Sequence, residues 1–230
     1  MSGPKVSADK GALIIVMGVS GCGKSTTGKA LAGAIQNTQF QDGDDLHPKS
    51  NIDKMSQGQQ LTDEDRHPWL SLIRSTAEHL IASGTSKVIV IACSALRKRY
   101  RDVLRTPSSE QQRCTIPPPL EIPDNHPYPA SERSSSHQTT HHSDPAPRVH
   151  VGTYFIHLDG PHDVLLQRMS ARKGHFMNES MLGGQLATLE WPDPATEENI
   201  ITVDLTKSTE EQVGQSIQGL RNMGLDLKTL

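Results

Sequence analysis

Residues 18–25 read GVSGCGKS, a match to the pattern GxxxxGK[ST]. Three glycines in six positions let several backbone N–H groups turn toward one point, which suits the oxygens of a phosphate chain. Lys24 stands where an ammonium reaches β- and γ-phosphates, and the Ser25 hydroxyl stands where Mg²⁺ takes a ligand. Gly18, Val19, Ser20, Gly21, Cys22, Gly23, Lys24, Ser25 and Thr26 are therefore the expected ATP contacts. A glycine-rich turn that only caps a helix is the plain alternative. Cys22 is unusual in such a loop: a thiol near a helix N-terminus can have a lowered pKa and react, although any small residue would also fit.

Asp42 and Asp44 in the run DGDD supply two carboxylates two residues apart. One can organise Mg²⁺ while the other takes a proton from an attacking hydroxyl. Asp44 is expected as the base and Asp42 as the metal residue. The sequence alone leaves the exchanged roles open, as well as a turn without catalytic function. His47, Lys54 and Arg66 follow as candidate substrate contacts; the planar fork of Arg66 suits a carboxylate, or an ion pair with Asp63 or Asp65. Ser94 can hydrogen-bond a sugar hydroxyl, and it is also a good N-cap for the helix behind it. Arg101, in that helix, completes the expected substrate set. Arg168 and Arg172 lie four apart near a helix end. They either complement the helix dipole or ride on a mobile lid, ending around 190–192, that brings positive charge to the transferring phosphate.

The elements that must hold these residues follow from hydrophobic period. The run ALIIVM at 12–17 and the run KVIVIAC at 87–93 are continuous and apolar, the pattern of strands buried on both faces of a parallel sheet. Further strands are expected from Phe40, at 153–158 and at 200–204. Helical spacing predicts helices over 24–35, after Pro48, over 69–81, 96–104 and 162–172, and from about Ser208. Strand and helix alternate, which predicts an α/β fold with a parallel sheet covered on both faces. In such a sheet the loop at 18–25 and the acidic turn at 42–45 open onto one crevice at the strand ends. Strand three ends in Cys93-Ser94 with no acidic residue, so metal organisation falls to Asp42 and Asp44.

The residues so far carry a family resemblance. MGVSGCGKST at 17–26, DGDDLHPKSNIDKMSQGQQLTDEDRHPWL at 42–70, CSALRKRYRDVLR at 93–105 and RKGHFM at 172–177 resemble the gluconokinases. That resemblance implies a parallel-sheet P-loop kinase, nucleoside-monophosphate-kinase-like, with a mobile lid. It implies ATP-dependent phosphorylation of D-gluconate at O6, feeding the pentose phosphate route, in a cytosolic and often dimeric enzyme. Cys22 departs from the commoner serine, and Gly183-Gly184-Gln185 from the usual serine before the glutamine. Shikimate kinase and adenylate kinase share the scaffold. A nucleotide-dependent switch and a degenerate kinase acting as a scaffold are the alternatives from another class, and the intact Lys24, Ser25, Asp42 and Asp44 argue against degeneration.

Composition agrees with one domain in 230 residues. The 34% hydrophobic and 3% aromatic content is low for that length. The cause is the stretch 106–149, which holds nine of the fifteen prolines and only eight apolar residues. It is expected as a disordered insertion in a single kinase domain over 12–230, behind a flexible N-terminus at 1–11. Its histidines at 126, 137, 141 and 142 read as solvated low-complexity sequence. A net charge of -3 argues against a nucleic-acid binder. No run of about eighteen apolar residues predicts a membrane helix. Three scattered cysteines suit neither a disulfide framework nor a CxxC metal site, and fit a reducing compartment.

Overall fold

A computed structural model describes residues 11–111, 150–170 and 179–230. Five parallel strands form one sheet in the order β2-β3-β1-β4-β5: β1 Gly11–Met17, β2 Thr38–Asp42, β3 Val88–Ala92, β4 Val151–Asp159 and β5 Ile200–Asp204. Central β1 is buried along its whole length. Its even residues Ala12, Ile14 and Val16 enter one core with helices α1 (Lys24–Ala34) and α8 (Thr209–Asn222). Its odd residues Leu13, Ile15 and Met17 enter the other, with α3 (Asp63–Ala82) and α4 (Lys98–Arg105). Alternation of side chains across a strand, with both faces covered, is what turns the pattern of 12–17 into a continuous apolar run.

The chain runs from β1 to the β2 edge and from β4 to the β5 edge. The connections thus diverge over the C-terminal ends of the central strands, where an open parallel sheet forms its ligand crevice. Short helices complete the frame: α2 Lys49–Ser56, α5 Ser108–Gln111, α6 His162–Ser170 and α7 Glu179–Thr188. Arg74, 1% exposed, ties three elements together by donating to the Leu104 and Val151 carbonyls and to Thr153 Oγ1. Among the described residues no helix is long and apolar enough to cross a membrane.

Two helix starts differ from the sequence expectation. α3 begins at Asp63, six residues before Trp69, because Thr62 and Asp65 form a reciprocal capping box and three acids occupy the first turn. Pro68, at which the expected pattern stops, is carried inside the helix. α4 begins at Lys98 behind Arg97, so Ser94 is not its N-cap. The Lys98 N–H instead donates to Glu190 Oε2 at 2.7 Å, a cap supplied from 92 residues away. Of the stretch 106–149, residues 106–111 are described and include α5; the rest, with residues 1–10, lies outside the described residues.

Candidate active site

The loop after β1 has the left-handed geometry that its glycines permit: Gly21 has φ 83° and Gly23, the N-cap of α1, has φ 103°. Between them Cys22 is 0% exposed and joins the core beside Leu31 and Leu165. The structure therefore favours the small-residue reading over the reactive thiol, since the side chain serves as a small apolar anchor under the loop. Native protein should resist maleimide at Cys22, with or without MgATP. Rapid labelling that MgATP blocks would restore the reactive thiol.

Lys24 Nζ donates to the Val19 carbonyl at 3.0 Å, so its ammonium lies over the loop. The Ser25 hydroxyl donates to Asp42 Oδ2 at 2.6 Å. The other oxygen of Asp42 accepts the Asp44 backbone N–H at 3.2 Å. Asp42 thus joins the phosphate loop to the short 3-10 turn Gly43–Leu46 that carries Asp44. Gly43 is required there: an added Cβ would lie 2.4 Å from the Ala92 carbonyl oxygen. The Gly43 carbonyl accepts from Trp69 Nε1 at 2.7 Å, which fixes the turn against α3.

Asp44 projects into the crevice with its side chain 76% exposed. Its pKa is raised, first by the surrounding protein mass and then by the charges of Asp42 and Asp45, against the lowering effect of Lys24. With so much of the carboxylate open to water, the rise expresses a concave, acidic setting and not enclosure.

His47 lies behind Asp44, 6% exposed and stacked on Trp69 with ring centroids 4.0 Å apart. Asn51 Nδ2 donates to the Asp65 carbonyl at 2.9 Å and lies 3.4 Å from His47 Nδ1. That pattern assigns the ring proton to Nε2, which is 4.0 Å from Asp44 Oδ1. Burial, with the charge of Arg66 second, lowers the His47 pKa to about 4. The unfolded chain takes up this proton near pH 6.5, before the fold does. The stability due to neutral His47 is complete above pH 6.5 and is lost as pH falls toward 4, on the order of 3 kcal/mol. Urea unfolding from pH 4.5 to 7.5 should show a shallower pH slope for His47→Gln than for the parent; equal slopes would contradict this.

Arg66, in the first turns of α3, donates to the Leu61 and Thr62 carbonyls and lies 5.7 Å from the Tyr100 ring centroid. Lys54 is engaged by both oxygens of Asp65 at 2.7 Å, so in this state it supports the start of α3. Ser94 reaches the loop through its carbonyl, which accepts the Gly18 N–H at 3.3 Å. Next to it Ala95, fully buried, has a left-handed φ of 43°, a conformation costing roughly 1–3 kcal/mol that marks sites held by their surroundings. Arg168 donates to the Cys22 carbonyl at 3.3 Å and the Leu205 carbonyl at 2.7 Å, which places it beside the loop. Thr26 is exposed in the first turn of α1. Arg172 lies outside the described residues.

Arg101 is a correction. It is 0% exposed and forms a two-point ion pair with Glu197, at 2.6 and 2.7 Å, while donating to the Ala95 and Leu96 carbonyls. Its guanidinium is taken up inside the protein by Glu197, 96 residues away in sequence, and by the two carbonyls, and so is not offered to a substrate. Sequence reasoning in turn missed a cluster facing Arg66. Asp63 accepts from Arg97, Arg99 and the Tyr100 hydroxyl, and the three guanidinium groups of Arg66, Arg97 and Arg99 lie 5.6–5.9 Å from the Tyr100 ring centroid. The signal was present as two blocks of opposite charge, DEDR at 63–66 and RKRYR at 97–101.

No protein-family model matches the chain. It is similar to the thermosensitive gluconokinase of Escherichia coli K12, 36% identical over 214 residues, covering 92% of this chain and 90% of that one. A probable gluconokinase of Xenopus tropicalis is 37% identical over 195 residues, 85% of this chain and 86% of the relative. The chain belongs to the gluconokinase family. Among solved structures, a gluconokinase from Sinorhizobium meliloti 1021 matches with 37% identity and a TM-score of 0.64 over 95% of each chain. The gluconokinase fold is thus shared in sequence and in coordinates, and in this chain the phosphate loop and the acidic turn lie at the same end of the sheet. As a gluconokinase-family enzyme the protein is a P-loop kinase.

Proposed function

We propose that this enzyme transfers the γ-phosphoryl group of ATP to O6 of D-gluconate, giving 6-phospho-D-gluconate and ADP for the pentose phosphate route. One observation carries the reading: Asp42 bonds Ser25 of the phosphate loop with one oxygen and the backbone of Asp44 with the other. A phosphate-binding motif and a raised-pKa carboxylate are thereby held at a fixed distance, as in-line transfer between an anchored donor and an anchored hydroxyl requires.

In this account Asp44 accepts the proton of the C6 hydroxyl as it attacks. Lys24 and Arg168 stand beside the loop, where charge builds on the transferring group. Arg172 is proposed to join them. His47, neutral and with its proton on Nε2, offers a donor to a polyol or to Asp44. The basic face of Arg66, with Arg97 and Arg99, suits the carboxylate end of the substrate, and Ser94 a middle hydroxyl. Lys54 can contribute a hydrogen bond once substrate draws it from Asp65. Mg²⁺ fits the donors present: the Ser25 hydroxyl and the Asp42 carboxylate are hard oxygens 2.6 Å apart. Phosphate oxygens and water would complete the coordination of the cation. When bound, Mg²⁺ would offset the negative charge of the phosphates.

The family resemblance supports a cytosolic homodimer, which light scattering would reveal as twice the chain mass. Regiochemistry is tested by nuclear magnetic resonance of the product formed from ATP and D-gluconate. Phosphorus coupling to C6 is expected; coupling to any other carbon would overturn the O6 assignment.

A further inference from the structure

One peptide unit of the phosphate loop is held at both ends by side chains. Its carbonyl, from Val19, accepts from Lys24 Nζ at 3.0 Å. Its N–H, from Ser20, donates to Gln185 Oε1 at 2.6 Å across 165 residues. The ammonium on the carbonyl polarises the peptide and strengthens the N–H as a donor, in keeping with a bond shorter than the usual 2.9–3.0 Å or so. Gln185 belongs to α7, whose Leu182 is fully buried in the core that also contains Val19 and Cys22. The neighbouring Gly184 backs onto the turn before α3: an added Cβ would lie 3.1 Å from Gln60 Nε2. The carboxamide therefore stands against the phosphate loop, on a helix that is anchored by Leu182 in the core and by Gly184 against the turn before α3.

A carboxamide has an acceptor oxygen and two N–H donors on adjacent atoms. With the oxygen held by Ser20, the NH₂ group lies beside the same arm of the loop that Lys24, the residue expected to reach the β- and γ-phosphates, bonds at Val19. We propose that Gln185 contacts the γ-phosphate, donating through Nε2 while Oε1 stays on the loop, and so makes the site favour triphosphate over diphosphate. The proposal rests on the ATP-dependent kinase reading above.

The experiment is calorimetric titration of ADP and of the non-hydrolysable β,γ-imido analogue of ATP, both with Mg²⁺. The parent enzyme, Gln185→Leu and Gln185→Glu are compared after their melting temperatures are recorded. Gln185→Leu should bind the analogue about tenfold more weakly, the scale of one hydrogen bond to a charged group, with ADP affinity changed less than about twofold. Gln185→Glu should lose more, because its carboxylate can keep the Ser20 bond but has no donor and repels phosphate. Equal weakening of both nucleotides would mean that Gln185 only seats α7, and unchanged analogue binding would mean that it makes no contact; either overturns the proposal. A parent enzyme that binds neither nucleotide would overturn the kinase reading itself, an outcome distinct from the other two.

Discussion

Asp44→Asn should lower kcat by about 10³-fold while leaving nucleotide affinity nearly unchanged. Asparagine keeps the size of the side chain and the backbone N–H that Asp42 accepts, so the turn should hold its shape. It cannot take up a proton. Phosphoryl transfer would then proceed with water as the only acceptor for the departing hydroxyl proton. The pH profile gives a second readout. The raised pKa of Asp44 in the free enzyme places the acid limb of the parent kcat/KM above the ordinary aspartate range, with activity rising as the carboxylate ionises. That limb should vanish in Asp44→Asn. Near-normal turnover, or an unchanged acid limb, would remove Asp44 from the role of base. An equally large loss in Asp42→Asn with an intact Asp44 limb would leave Asp42 as the metal residue.

The second large effect is on stability and lies away from the chemistry. Glu197→Ala should destabilise the enzyme by about 3–5 kcal/mol, a large part of the roughly 5–15 kcal/mol typical of a domain. Arg101 is fully buried, and Glu197 bonds its guanidinium at two points and Arg105 at 3.2 Å. Burial raises the Glu197 pKa, but the bonds from Arg101 and Arg105 outweigh it and hold the carboxyl below its usual range. Removing that carboxylate strands a buried cation. Much of the cost should disappear when Arg101 is also replaced by methionine, since the apolar pair leaves no charge to solvate. Urea unfolding of the two single variants and the double variant reads this coupling directly. If Glu197→Ala costs the same in both backgrounds, the pair is not what holds the segment before β5 to α4.

These two sites also show what the linear sequence can and cannot display. Lys24, Ser25, Asp42 and Asp44 were legible because their relation is set locally. Two of them sit in a loop with a fixed pattern, two in a turn at a strand end, and parallel strands put both at one end of the sheet. The strands themselves were legible because β1 is buried on both faces, which leaves a continuous apolar run. Arg101 misled because nothing near it in sequence announces Glu197. The acceptor for the first N–H of α4 comes from Glu190, and the Ser20 N–H is taken by Gln185, each through packing that brings distant segments together. The start of α3 was hidden for another reason: its capping box uses Asp65 at the position where Glu or Gln is usual, and Pro68 interrupts the apolar period.

The most direct test of the central claim is a coupled assay of ADP release at fixed MgATP, run across D-gluconate, shikimate, other sugar acids and AMP. Membership of the gluconokinase family, with a phosphate loop joined through Asp42 to the exposed Asp44 carboxylate, predicts strong stimulation by D-gluconate and little by shikimate or AMP. Turnover of shikimate or AMP with D-gluconate inert would contradict it.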